Sequence, residues 1–258
     1  MALAALFFAG GLATAHAQSG AVASGSFAPR RAQSAGEPQQ PVQQDTEPEW
    51  RWGPLTVGGD VAITSAFVWR GFVLHDGACL QPDVWLALSD FTVTSWLNVR
   101  RGIPGDNHFN EHDFTVDYSR DAGRMTLSAG WTNYRFFGLE AGHTNEFYAG
   151  ASADVLLQPG VTVYKDVQMG SGTYVSVSAG HQWPMGGRAT AGAQVAFGYN
   201  NHLYIDGAGL SDVAVTLSLS LPVPSARLLL EPTLTYSHSL MPDAFPSRLF
   251  GGLSVALR

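Results

Sequence analysis

The sequence predicts an all-β protein: a membrane-spanning antiparallel β-barrel of about 12 strands, closed as an up-and-down meander. Three observations predict this fold. Apolar residues alternate with small or polar ones through most of the chain, many of these segments are long, and short turns alternate with longer loops. A tilted strand that crosses a bilayer has about 9–11 residues, whereas strands of globular proteins have about 5–6.

The composition excludes several classes of protein. Charged residues make up only 14% of the 258 residues, whereas a soluble surface carries about 25–35%. The net charge of -7 gives no basic surface for nucleic acid. Cys79 is the only cysteine, so no intramolecular disulfide can form, and the eight histidines show no metal-ligand spacing. No cofactor or metal is predicted, although a surface metal site is an alternative for the loop histidines His75, His108, His143 and His202.

The chain divides into three predicted segments. Residues 1–17 form an apolar run that closes on Ala-His-Ala, as a secretory signal peptide does. No Lys or Arg precedes this run, so we expect the natural start upstream of Met1. Residues 18–52, rich in Gln, Pro and Ser, are expected to be a disordered linker, and residues 53–258 the barrel. The alternatives are a transmembrane anchor for the first segment and a plug in the barrel for the second.

Alternation with a period of two, without a sustained helical period, defines the strands. They are predicted at residues 55–71, 79–89, 91–101, 109–119, 124–136, 145–157, 160–167, 172–183, 187–199, 211–221, 226–238 and 247–257. One face of the first strand carries Val57, Val61, Ile63, Phe67 and Trp69, and the other Gly58, Asp60, Ala62, Thr64 and Arg70. Short links follow the even-numbered predicted strands, and most of the other links are longer. Outer-membrane barrels show the same alternation of short turns and long loops.

The small polar face is predicted to line the inside of the barrel. It carries residues such as Ser128, Ser178 and Thr190, where a soluble sandwich would place Lys and Glu. The Val, Leu and Ala face suits lipid. Aromatic residues near strand ends are consistent with girdles at the membrane interfaces. These residues are Trp69, Phe72, Trp131, Tyr134, Phe136, Trp183, Phe197, Tyr199 and Tyr236.

An ordered series of motifs runs along the predicted strands. The motifs are Ser65–Gly71 (SAFVWRG), Gln81-Pro82, Glu111–Tyr118 (EHDFTVDY), Glu146–Gly150 with Ser152, and Tyr164–Asp166. Together they resemble the TorF-like porin family over most of residues 57–220. The resemblance implies a barrel in the outer membrane of a Gram-negative bacterium. For such a barrel we expect contact with outer-membrane lipid, insertion by the outer-membrane assembly machinery, and small hydrophilic solutes as the transported class.

The inward face brings charged residues into the lumen. The predicted pore-lining residues are Asp60, Thr64, Arg70, Asp83, Arg100, Glu111, Asp113, Asp117, Glu146, Asp154, Asp166, Arg227 and Glu231. Acids outnumber bases, so an open lumen would mildly prefer cations. The alternative is that most of these charges pair into a network that makes the wall rigid. We expect Arg70 either to form a constriction with Glu111 or Glu146 or to be a structural clamp.

These observations predict a porin-like channel for passive diffusion of small hydrophilic solutes, and not an enzyme. A closed-lumen barrel that binds a partner through its outer loops is the first alternative. A lipid-acting barrel enzyme built on His238 and a nearby serine such as Ser239 is the second. No Ser, His and acid set shows a recognisable spacing, and such sites are defined by spatial geometry.

Overall fold

The computed structural model describes residues 50–52, 54–100, 109–137, 142–186 and 188–257. The predicted signal peptide and residues 18–49 of the predicted linker lie outside the described residues, so both stay predictions. The last residues of that linker, Trp50–Trp52, form a short strand, β1, which pairs with the first strand of the wall. The barrel sheet therefore begins inside the segment predicted as linker.

Twelve antiparallel strands form the wall in the described part of the chain. They are β2 (Leu55–Thr64), β5 (Cys79–Leu88), β6 (Phe91–Arg100), β7 (Phe109–Ala122), β8 (Met125–Phe136), β9 (Gly142–Ala153), β10 (Gly160–Asp166), β11 (Thr173–Gly186), β12 (Ala189–Asn201), β13 (Ala208–Val223), β14 (Leu228–Ser239) and β15 (Arg248–Leu257). Each pairs with the next along the chain, and β2 pairs with both β5 and β15 to close the ring. The predicted closed twelve-stranded meander is confirmed.

The first wall strand is shorter than predicted. It ends at Thr64, whose hydroxyl donates a hydrogen bond to the Ala66 carbonyl (2.7 Å) where the chain leaves the wall. The prediction of one strand over residues 55–71 is therefore wrong beyond Thr64. Two short strands follow instead, β3 (Phe67–Trp69) and β4 (Phe72–His75), which pair with each other.

The two faces of the wall differ as the alternation predicts. Inward polar side chains such as Ser176 (3% exposed) and Thr216 (5%) are buried, whereas the apolar side chains of Ile63 (56%) and Leu217 (52%) are exposed on the outside. An apolar outer surface on a closed barrel suits lipid, because closure pairs the strands with one another and leaves no open sheet edge. The polar face therefore lines the inside.

We expect a charge on the outward face to destabilise the barrel. Replacing Leu217, near the middle of β13, by Lys should lower the free energy of unfolding in lipid vesicles by about 2–4 kcal/mol, because the ammonium group would lie in hydrocarbon. Urea titration followed by tryptophan fluorescence measures the change. The control is Ser218→Lys, whose side chain faces the lumen and should lose much less stability. Equal losses in the two variants would contradict the assignment of the faces.

The two ends of the barrel differ in the length of their links. One end, the short-turn end, has links such as residues 89–90 and 123–124. The other, the long-loop end, has links that include residues 65–78, 202–207 and 240–247. A 3-10 turn, Pro224–Ala226, joins β13 to β14 at the short-turn end. Among the described residues, no helix has the length and apolar character needed to cross a membrane.

Candidate functional site

A hairpin enters the lumen at the long-loop end. Strands β3 and β4 form this plug hairpin, residues 67–75. Its turn residues, Arg70 (φ 48) and Gly71 (φ 85), both have positive φ, as a two-residue hairpin turn of type I′ requires. A Cβ on Gly71 would lie 3.0 Å from the Cβ of Asp212 on β13. The tip of the plug hairpin therefore packs directly against the inner wall.

Arg70 at this tip forms a bidentate ion pair with Glu146 on β9. Its Nη1 lies 2.6 Å from Glu146 Oε2, and its Nη2 lies 2.8 Å from Glu146 Oε1. The Tyr134 hydroxyl donates a further hydrogen bond to Glu146 Oε1 (2.9 Å). The side chains of Arg70 and Glu146 are 0% and 2% exposed. Because a paired fork fixes both distance and angle, the ion pair holds the tip against the wall.

Aromatic rings surround the guanidinium group of Arg70. Its central carbon lies 3.9 Å from the ring centroid of Tyr164, 4.2 Å from that of Trp69 and 5.0 Å from that of Tyr174. Cation–π contacts of this kind strengthen when water is excluded. The Tyr174 hydroxyl in turn donates to the Asp212 carboxylate, 3.2 Å from each oxygen. The cation is thus enclosed by one carboxylate and three rings.

A buried aromatic cluster closes the lumen around the plug hairpin. Phe72 packs edge-on against Phe245 from the β14–β15 loop (centroids 4.3 Å apart) and against Tyr204 from the β12–β13 loop (6.4 Å). The buried members are Phe67, Trp69, Phe72, Leu74, Cys79, Trp96, Tyr134, Phe136, Tyr148, Tyr164, Tyr174, Leu203 and Phe245. The long-loop half of the lumen is therefore filled by packed side chains.

Asp166, at the end of β10, organises the next loop. One of its carboxylate oxygens accepts hydrogen bonds from three backbone N–H groups, those of Gln168 (2.8 Å), Gly170 (3.0 Å) and Ser171 (3.1 Å). The hydroxyls of Thr144 (2.8 Å) and Tyr204 (3.0 Å) donate to the other oxygen. Burial, and then the Asp166 charge, raise the pKa of the Tyr204 phenol well above its usual range, so the phenol remains a donor. Asp166 therefore ties two loops of the long-loop end to the wall.

The short-turn half of the lumen has a different lining. Inward positions on β8, β10, β11 and β12 carry small or polar side chains that are partly exposed, including Ser128, Thr162, Ser178 and Gln194. Small side chains leave room along the barrel axis, whereas the aromatic cluster fills it. On these strands the short-turn end of the lumen is therefore lined by small or polar groups, whereas the long-loop end is closed.

Most of the predicted pore-lining residues are buried inside the barrel. They are Asp60, Thr64, Asp83, Arg100, Glu111, Asp113, Asp117, Glu146, Asp166 and Glu231 on the wall, and Arg70 on the plug hairpin. Asp60 lies opposite Asp83 in the β2–β5 register and accepts a hydrogen bond from Ser254 (2.7 Å). Tyr148 donates to Asp117. The structure brings Arg70 and Glu146 together, and the role of the whole set in a conducting path stays a prediction.

Two of the predicted pore-lining residues lie in turns. Asp154 is exposed in the turn of residues 154–159, because β9 ends at Ala153 and not at residue 157. Arg227 is exposed directly after the 3-10 turn, in the left-handed conformation (φ 53). The sequence had indicated that both side chains project inward from strands. In the structure both residues lie in turns at the short-turn end.

Several aromatic residues predicted at the membrane surface are inside the barrel. Phe67 (1% exposed) and Trp69 (6%), assigned to the lipid face of the first strand, belong to the plug hairpin. Phe72, Tyr134 and Phe136, predicted as girdle residues, lie in the same buried cluster. These predictions are wrong because the hairpin leaves the wall and because Tyr134 and Phe136 occupy inward positions of β8. The other predicted girdle residues are partly or well exposed; they are Trp131, Trp183, Phe197, Tyr199 and Tyr236.

The sequence did not indicate Tyr164 and Tyr174, whose rings pack against Arg70, or Asp212, which accepts a hydrogen bond from Tyr174. All three occupy inward positions, and the two tyrosines replace the small residues found elsewhere on that face. Tyr164 follows Thr162 on β10, and Tyr174 precedes Ser176 on β11. The change from small to bulky along one inward face is the signal that could have found them, because a bulky ring inside a barrel needs a packing partner.

The histidines of the described residues do not form a recognisable metal or catalytic site. The Nδ1 of His238 lies 3.2 Å from the Ser247 hydroxyl, and its side chain is exposed. No group of three or more His, Cys, Asp and Glu side chains in the described ranges could hold a metal ion. His108 lies outside the described residues. Cys79 is buried and free, 3.7 Å from the Gly77 carbonyl.

Solved structures similar to this chain include three barrels. OmpF of Salmonella typhi, solved in complex with daunomycin, is 7% identical, with 79% of this chain and 97% of that chain covered, at a TM-score of 0.41. OccK5 (OpdH) of Pseudomonas aeruginosa is 12% identical, with 79% and 66% covered, at a TM-score of 0.37. OmpT of Vibrio cholerae is 8% identical, with 81% and 99% covered, at a TM-score of 0.36.

No family model and no curated protein matches the chain. The resemblance to the TorF-like porin family therefore stays a prediction. The similar structures are outer-membrane barrels. Their identities and TM-scores are low, so the fold rests on the strand pairing described above: this chain is a closed twelve-stranded antiparallel β-barrel.

Proposed function

We propose that the chain is an outer-membrane barrel that forms a narrow channel for small hydrophilic solutes, with the plug hairpin as its constriction. The supporting observation is a closed barrel with an exposed apolar outer face and a polar inner face. Such a surface matches a bilayer on the outside and water on the inside. By the usual arrangement of these barrels, the short-turn end faces the periplasm and the long-loop end faces the outside.

The filled half of the lumen limits this channel. A solute that enters from the periplasmic side meets small polar side chains first and then the plug hairpin held by Arg70 and Glu146. Passage therefore requires the hairpin to shift, and we expect a small conductance. The buried carboxylates outnumber Arg70 and Arg100 inside the barrel, so the conducted ions should be mainly cations.

Single-channel recording in planar bilayers tests this proposal. We expect small steps for the intact chain, a reversal potential that shows mild cation preference, and larger steps when residues 66–76 are replaced by a short Gly-Ser link. Insertion is checked separately by protection from protease in vesicles. A clear anion preference would contradict the proposed selectivity, and an inserted intact chain that never conducts would contradict the channel.

A closed-lumen barrel that acts through its outer loops is the second candidate function. The observation that favours it is the packed cluster formed by the plug hairpin and the loops that carry Tyr204 and Phe245. This second function predicts no conductance for the inserted intact chain, even if the shortened variant conducts. The lipid-acting enzyme has no such support, because no carboxylate of the described residues hydrogen-bonds to His238.

A further inference from the structure

A polar network lies on the outside of the barrel near the long-loop end. Its members share an outward position on neighbouring strands or the loop that follows. They are Trp131, Asn133 and Arg135 on β8, His143 and Asn145 on β9, and Gln168 after β10; together they form the outer polar patch. Such groups suit the head-group region and not the hydrocarbon core, because hydrocarbon supplies no partner for them.

Hydrogen bonds connect the outer polar patch. Asn145 Oδ1 accepts from Trp131 Nε1 (3.2 Å) and Asn133 Nδ2 (3.1 Å). Asn145 Nδ2 donates to Gln168 Oε1 (2.8 Å), and the Gln168 amide nitrogen lies 3.0 Å from His143 Nε2. The network fixes the orientation of the amide groups, so the patch is preorganised before any ligand arrives.

Arg135 adds an exposed cation to this network. Its Nε donates to Asn133 Oδ1 (3.2 Å), and the side chain is exposed. No carboxylate of the described residues forms an ion pair with it. The Nη groups of Arg135 can therefore donate hydrogen bonds to an anion outside the barrel. A guanidinium fork binds phosphate well.

The strand register arranges the patch in rows. His112, Arg135 and His143 are direct neighbours across β7, β8 and β9, in the row nearest the long-loop end. The next outward row holds Asn133 beside Asn145, and the third holds Trp131 beside Phe147. Outward rows on one strand lie about 7 Å apart. Arg135 between two imidazoles, then amide groups, then aromatic groups therefore follow one another from the end of the barrel toward its middle.

The charges on these strands are separated by face. The carboxylates at strand positions of β9 and β10, Glu146 and Asp166, are buried inside, as are Glu111 and Asp113 on β7. The row of His112, Arg135 and His143 therefore has no outward carboxylate among the described residues of the neighbouring strands. Aromatic residues below it mark the usual depth of the membrane interface. The row that carries Arg135 thus lies at the level of lipid head groups.

We propose that the outer polar patch binds a phosphorylated glycolipid of the surrounding outer leaflet. The Arg135 guanidinium would hold a phosphate, the amide row would bind sugar hydroxyls, and the acyl chains would lie below Trp131 and Phe147. A phosphate next to a sugar matches the order of cation and amides, whereas a simple phospholipid has no sugar ring to span the amide row. This inference rests on the proposed outer-membrane location, but not on conduction.

Lipid binding by the refolded chain in neutral detergent micelles tests the inference. The probes are diphosphoryl lipid A, its dephosphorylated form and phosphatidylglycerol, and binding is read by native mass spectrometry and lipid titration. We expect the intact chain to prefer diphosphoryl lipid A, and Arg135→Gln to weaken that binding about five- to tenfold. Arg188→Gln, an exposed arginine at the short-turn end, is the matched control and should bind as the intact chain does.

A second variant addresses the amide row. Asn145→Ala should weaken binding of both forms of lipid A, because the sugar is common to both, and should leave phosphatidylglycerol binding unchanged. Equal binding of lipid A and phosphatidylglycerol, or equal affinity of the Arg135 and Arg188 variants, would overturn the inference. A dimer or trimer mass abolished by Arg135→Gln would also overturn it, because the patch would then bind a second copy of the chain.

Conductance is recorded on the same preparations. A barrel that conducts but does not prefer lipid A contradicts the glycolipid site and leaves the channel standing. A barrel that binds lipid A through Arg135 but never conducts contradicts the channel and leaves the glycolipid site standing.

Discussion

Replacing Glu146 by alanine should lower the free energy of unfolding by about 3–5 kcal/mol and enlarge the single-channel conductance. The change leaves the fully buried guanidinium of Arg70 without its counter-charge, and an uncompensated buried charge is costly. The plug hairpin can escape this cost by leaving the lumen. Loss of stability and gain of conductance therefore have a common origin, and both are measured, by urea titration in vesicles and by bilayer recording.

Two further variants define what the Glu146 result means. Asp154→Ala removes a carboxylate that is exposed in a turn, so it should change neither stability nor step size appreciably. The double variant Arg70→Met with Glu146→Met removes both charges and should regain much of the lost stability, since an apolar pair replaces the ion pair. If the double variant is no more stable than Glu146→Ala, the buried charge is not the cause of the loss.

Replacing Trp69 by alanine should also cost about 3–5 kcal/mol, the usual loss for a large aromatic side chain in a packed core. Trp69 lies against Phe72 (centroids 5.8 Å apart), Tyr134 (6.5 Å) and Tyr204 (6.4 Å), and under the Arg70 guanidinium. Its removal opens a cavity at the centre of the plug. We expect larger or more frequent conductance steps together with the loss of stability.

The matched control for Trp69 is Trp183, another tryptophan of the chain. Trp183 is 47% exposed, near the short-turn end of β11. Its replacement by alanine should have a much smaller effect on unfolding and none on conductance. Equal effects of the two substitutions would show that the plug hairpin does not depend on the packing of Trp69.

The wall of this barrel could be predicted from the sequence because its signal is local. Alternation over ten or more residues, as in Asp212 to Leu221, determines both the strand and the face. The plug hairpin could not be found in this way, because the alternation of the first strand continues past Thr64 into Phe67 and Trp69. The length of that segment and the Arg-Gly pair between two apolar runs were the available signals for a two-residue turn.

The partners within the site depend on distances that alternation does not contain. Arg70 and Glu146 are 76 positions apart in the chain, and the sequence left Glu111 and Glu146 as equal candidates. Which of the two carboxylates pairs with Arg70 depends on the part of the wall that the hairpin tip contacts. Asp154 and Arg227 were misplaced for a local reason. An error of a few residues in a predicted strand end moves a side chain from the wall into a turn.

The short strand β1 affects how the ring is joined. β15 pairs with β2 only from Asp60 to Thr64, and β1 pairs with β2 from Leu55 to Val57, so two separate pieces of chain share one edge of β2. Since β1 belongs to the segment that precedes the wall, a pull on that segment would first strip β1 from this edge. The joint between the first and last wall strands is therefore the place where the barrel would open sideways toward the membrane.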